Sequence, residues 1–164
     1  MKVIKRDDTY CSFLIGKRER EMLFSLLQRY PAVLTAHYRD RNPPKDDAAK
    51  KNQELIQEAL AETQKETRKQ LEQMLAEPGR FVENEFGYTF KLSHSEIEWM
   101  LQMLNDVRVG SWIQLGEPNP DSADAADSPK KPPLNEQTIL LYWSMEIAGL
   151  FQHALLESTN PAES

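Results

Sequence analysis

Residues 93–116, SHSEIEWMLQMLNDVRVGSWIQLG, restrict the fold of this chain more than any other segment, because at helical spacing both sides of the segment are apolar. Ser93 with Glu96 three residues later reads as a capping box, in which hydroxyl and carboxylate satisfy backbone N–H groups that open a helix. At roughly 100° per residue, Ile97, Met100, Leu101, Leu104, Val107, Ser111, Trp112 and Leu115 share one face, with Arg108 in their midst. Trp99, Met103, Val109 and Ile113 share the other, with Asp106 and Gly110 among them. A helix of this kind is expected at the centre of a core rather than on a surface.

The chain of 164 residues is long enough for one domain with a true core. No run of apolar residues reads as a bilayer span, and MKVIKRDDTY is not followed by a signal-peptide pattern, so the expected location is the cytoplasm. The one cysteine, Cys11, falls in an apolar strand and reads as a small buried thiol. A net charge of −6 opposes bulk attraction to nucleic acid or an anionic membrane, although Lys2, Lys5, Arg6, Lys17, Arg18 and Arg20 gather near the start.

Along the chain, YCSFLI at 10–15 reads as a strand, with a weaker strand at Val3 and Ile4, so a hairpin is expected. KREREMLFSLLQRY from Lys17 has helical spacing up to Pro31, and AVLTAHYRD continues it toward a break at RNPPKDD. Residues 46–76 hold no glycine or proline and predict a long helix. Its apolar stripe is thin, with Leu55, Ile56, Ala59 and Leu60 near one end and Leu71, Met74 and Leu75 near the other, which suggests packing at both ends and a solvated middle. RFVENEFGYTFKL suggests a second hairpin, residues 117–133 a flexible polar linker, and residues 158–164 a disordered tail. The last helix starts at an Asn135 cap and carries Ile139, Trp143, Ile147, Leu150, Phe151 and Ala154 on a broad apolar face. FLIGKREREMLFSLL echoes FKLSHSEIEWMLQML, matching Phe13 with Phe90 and Glu19 with Glu96, and pairing of the two strands is the first explanation of that echo.

The expected fold is therefore a single mainly α domain, a bundle of about four helices with a small antiparallel hairpin or sheet. Arg108 within an apolar stripe is expected to form a structural ion pair linking the two core helices, with Glu146 on the last helix as first candidate and Asp106 as second; the alternative is an exposed arginine ready to bind a partner or an anion. Together with Trp112 and His153, these are the candidate binding residues. The three histidines belong to no metal-ligand motif, nucleophile elbows and phosphate-cradling loops are absent, and no catalytic residue, metal or cofactor is assigned.

Two stretches carry a family resemblance. LNDVRVGSWIQLG at 104–116 is similar to a Leu-Asn-Asp-Leu-Arg run ending in an Arg-Leu-Gly type segment, and LLYWSMEIAGLFQHALL is similar to a closing Tyr-x-Trp-Leu helix. The family they resemble comprises small bacterial helical domains of unknown function whose genes often lie beside that for the Clp-protease adaptor. Asn105, Asp106, Arg108, Gly116, Tyr142 and Trp143 match its pattern; the longer and more charged second helix, the proline-rich linker, Trp112 and Gln114 depart from it. The resemblance implies a fold and a regulatory or adaptor context linked to protein turnover, and no reaction. The leading expectation is a non-enzymatic protein-interaction or regulatory module, with the long middle helix and the aromatic residues near Trp99 and Trp112 as its surfaces. The thin stripe of the long helix suits a homodimer as well as a loosely packed monomer. A nucleic-acid-binding regulator and a small-molecule-binding protein or enzyme are the alternatives.

Overall fold

The structure, a computed structural model, describes residues 1–33, 44–117 and 133–159. The helical continuation expected at 34–40 and the linker at 118–132 lie outside the described residues. In chain order the elements are β1 (Lys2–Arg6), β2 (Tyr10–Ile15), α1 (Lys17–Leu27), α2 (Asp47–Ala76), β3 (Phe81–Asn84), β4 (Gly87–Ser93), α3 (His94–Gln114) and α4 (Glu136–Thr159). The fold is mainly α with one four-stranded antiparallel sheet, because the two expected hairpins join in the order β1-β2-β4-β3.

The echo between the two strand-to-helix segments has a structural counterpart. β2 and β4 pair antiparallel with Phe13 directly opposite Phe90, and the two rings stack at 5.3 Å. Each strand runs straight into a helix whose third residue is a glutamate reaching back. Glu96 accepts from the Ser93 N–H at 2.7 Å while the Ser93 hydroxyl accepts from the Glu96 N–H at 3.2 Å. Glu19 accepts from the Gly16 N–H at 2.8 Å, and glycine has no hydroxyl to return the bond. One face of the sheet, with Cys11, Phe13, Ile15, Phe90 and Leu92 all buried, carries the helices and joins Leu23, Leu27, Ile97, Met100, Leu104, Val107, Phe151 and Leu155 in a single core. Arg20 lies with its guanidinium over the rings of Phe24, Phe81 and Tyr88 at 4.4–5.3 Å, so its charge is balanced by aromatic faces.

α3 is central, as its two apolar sides require. Met103 and Gly110 are buried along with Ile97, Leu104 and Val107. α4 packs against it and buries the small and apolar residues Leu141, Ser144, Ala148, Phe151, Ala154, Leu155 and Ser158. The buried Ser144 and Ser158 hydroxyls donate back to the Leu140 and Leu155 carbonyls, which allows them to sit inside. Asn135 caps α4, accepting from the Thr138 N–H at 3.0 Å. The helix extends to Thr159, two residues into the stretch assigned to a disordered tail, because Ser158 is buried.

α2 starts at Asp46, whose carboxylate accepts from the Ala49 N–H. The expectation of packing at both ends is corrected: Leu71 and Met74 are buried at the C-terminal end, while Leu55 and Ile56 are exposed at the other. In between, polar arms hold the helix. Gln64 donates to the Val33 carbonyl at 3.1 Å and Arg68 to the Tyr30 carbonyl at 2.9 Å.

Candidate functional site

The five residues singled out from the sequence do not converge on one site. Arg108 is exposed, and its guanidinium donates to the Gln152 side-chain oxygen at 3.3 Å, not to Glu146. The buried-pair expectation is therefore corrected. α3 is turned so that Val107 and Ser111, rather than Arg108, face the interior. Glu146 is exposed on the outside of α4, and the likewise exposed His153 pairs with Glu157 at 3.5 Å, an ordinary surface contact. Trp112 and Trp99 are half-buried rather than exposed aromatic surfaces. Without a buried charge to orphan, Arg108→Ala is expected to change stability by less than about 0.5 kcal/mol. A thermal melt shifted by several degrees would show that Arg108 supports the fold after all.

Asp106 has a different and local duty. Its carboxylate accepts the N–H groups of Ala32 at 2.6 Å and Val33 at 3.3 Å, so it holds the turn after α1 against α3. Burial raises its pKa, and the two N–H groups pull the other way without cancelling that rise. One helical turn later Gly110 lies under Ala32, so close that a Cβ there would meet the Ala32 backbone.

A second polar junction links the hairpin to α3. Arg80 donates to Glu96 at 2.8 Å, to Glu77 and to the Lys91 carbonyl, and its side chain is largely shielded. Burial works against the Glu96 charge, but the Ser93 N–H and Arg80 outweigh it and hold its pKa below the usual glutamate range. A carboxyl whose folded-state pKa is depressed contributes stability that is present above the unfolded value and lost as pH falls through the folded value. Glu96→Gln is therefore expected to cost about 1–3 kcal/mol at neutral pH. The deficit relative to wild type should shrink on acidification below the usual glutamate range, which urea melts at several pH values would follow.

The feature that the sequence reading missed is the outer surface of α4. The apolar face expected of this helix splits in two. Phe151 and Ala154 are buried, whereas Trp143 is 61% and Leu150 is 70% exposed, with Ile139, Leu140 and Leu156 also exposed. Ile139, Trp143, Glu146, Leu150, His153 and Glu157 recur at intervals of four and three residues, so they form one stripe along the helix. By length and composition α4 is apolar enough to cross a membrane, yet only 33% of its most apolar stretch is buried in the chain. Beside the stripe, α1 and α4 border a groove lined by Met22, Leu26, Leu140, Trp143 and Ile147, with the charged Arg18, Glu21 and Arg29 also in its lining. A warning was present in the sequence: α4 is apolar almost all round and contains no lysine or arginine, so a helix with any side left open exposes apolar residues there.

Among the described residues no group of histidine, cysteine, aspartate and glutamate side chains is arranged to hold a metal ion. Compared with protein-family models, with curated proteins and with solved structures, the chain matches none.

Proposed function

We propose that this chain is a non-enzymatic protein-interaction module, with a regulatory role, that binds its partner through the α1–α4 face. The observation that carries the reading is the set of exposed large apolar side chains on α4, Ile139, Leu140, Trp143, Leu150 and Leu156. Contiguous bare apolar patches larger than roughly 300–600 Å² are uncommon on monomers and mark interaction surfaces. Exposed tryptophan beside arginine is also the composition of binding hot spots.

The basic residues near the start of the chain favour this reading over nucleic-acid binding, since several are engaged internally. Lys17 pairs with Glu83, Arg20 stacks on three rings, and Arg6 donates to the Glu157 carbonyl. A catalytic pocket built from Arg108, Glu146 and His153 is disfavoured because all three are exposed. The turnover context that the family resemblance implies makes a Clp component or substrate one partner to look for.

The test is affinity capture of the tagged protein at low and high salt, with Trp143→Glu alongside. A protein retained at high salt by wild type and lost by the variant supports the reading, because apolar docking resists salt. Retention of nucleic acid alone, released by salt, would replace it with the regulator reading.

A further inference from the structure

We infer that the α1–α4 face pairs with the same face of a second copy of this chain, so that the α4 stripe of each copy lies along the α1 edge of the other. The inference rests on the protein-interaction reading above and names the partner. Its argument is complementarity of charge in register. α4 carries three carboxylates, Glu136, Glu146 and Glu157, and no cation, so whatever covers it gains by presenting positive charge. The groove presents it as Arg18 and Arg29, two cations against the single carboxylate of Glu21 in its lining. Among the described residues neither arginine pairs with a carboxylate, and Arg29 Nε is shielded from solvent without a hydrogen-bond acceptor.

The spacings agree. Arg18 and Arg29 are eleven residues apart, and so are Glu146 and Glu157. Glu146 and Glu157 stand three helical turns apart, about 16 Å at the usual rise, on one side of α4, and Arg29 stands in the turn that carries the chain on from the end of α1. Setting Arg18 beside Glu146, with the two helices running in the same direction, sets Arg29 beside Glu157, Met22 beside Leu150 and Ser25 beside His153. Opposite charges meet at both ends, with the apolar pair Met22 and Leu150 and the polar pair Ser25 and His153 between them. A two-fold axis makes the exchange reciprocal, so a single patch serves as donor and acceptor and the assembly closes as a dimer.

Sedimentation velocity across the micromolar range tests this with three proteins: wild type, Arg18→Glu/Arg29→Glu, and Glu146→Arg/Glu157→Arg. All four positions lie at the surface or partly exposed, and circular dichroism checks that each protein is folded. Wild type is expected to sediment as a dimer, and each charge-reversed protein to dimerise at least tenfold more weakly. An equimolar mixture of the two reversed proteins is expected to regain the dimer, which damage to folding could not produce. A wild type that stays monomeric overturns the inference, as does a dimer indifferent to both reversals or a monomer that binds neutral phospholipid vesicles through α4. The interaction reading falls separately, when Trp143→Glu leaves capture unchanged; a monomer that still retains a Trp143-dependent partner overturns only the dimer.

Discussion

Gly87→Ala is expected to lower stability by about 4 kcal/mol or more, which is most of the stability of many domains. Two independent costs meet at this position. The first is conformational: Gly87 closes the β3–β4 hairpin with φ +135, a region that L side chains rarely adopt, and such strain costs on the order of 1–3 kcal/mol. The second is steric. A Cβ there would stand 2.3 Å from the Ile15 carbonyl oxygen and 3.0 Å from the Gly16 Cα. Both are main-chain atoms at the point where β2 gives way to α1, so no rotamer change relieves the overlap, and Ile15 is itself fully buried. Moving β2 away would disturb the Phe13–Phe90 stack at the centre of the sheet. Gly79→Ala and Gly116→Ala separate the two costs, since these glycines also have positive φ, +79 and +84, but open space around them. Each should lose only about 1 kcal/mol. Urea melts of the three variants read the difference directly. If Gly87→Ala were no worse than Gly79→Ala, the close approach of the hairpin to the end of β2 would be wrong.

Local chemistry made much of this fold legible, and the reasons are visible residue by residue. Ser93 with Glu96 and Asn135 act within three residues of themselves, so their caps could be read without tertiary information. Hairpins could be read for the same reason, and the match of Phe13 with Phe90 anticipated the long-range pairing of β2 with β4 because both segments repeat the same strand-to-helix step. Arg108 shows where such reading stops. A helical wheel fixes the angles between residues, but when both sides are apolar it does not fix which side the rest of the chain covers. α3 covers Met103 and Gly110 and leaves Arg108 outside. α4 repeats the problem: Trp143 and Leu150 have the composition of core residues and stand on the surface. The candidate site was hidden for that reason, since an interface and a core use the same apolar residues. The bonds to the turn after α1 were hidden for another. Asp106 and Arg68 bind backbone N–H and carbonyl groups, which every residue carries and no sequence pattern marks.

That turn is the setting of the second large effect, Gly110→Ala, expected to destabilise by about 2–3 kcal/mol although alanine is the better helix former by about 1 kcal/mol. A Cβ at Gly110 would meet the Ala32 carbonyl carbon and Cβ at 2.6 Å and the Ala32 carbonyl oxygen at 2.8 Å, so the turn itself would have to retreat. It is not free to do so. Asp106, on the same side of α3 one turn earlier, holds the Ala32 and Val33 N–H groups, while Gln64 and Arg68 of α2 hold the carbonyls on either side. A retreat of the turn by several tenths of an ångström stretches these bonds together, and a buried polar group left unmatched costs about 1–3 kcal/mol. Gly149 of α4 supplies the contrast, because a Cβ there meets nothing within 4 Å. Gly149→Ala should gain about 0.5–1 kcal/mol from helix propensity alone. Equilibrium unfolding of the two variants should therefore move in opposite directions. A stabilised Gly110→Ala protein would mean that the turn does not rest on α3 at all, and that α2 is held to the core by its last two turns only.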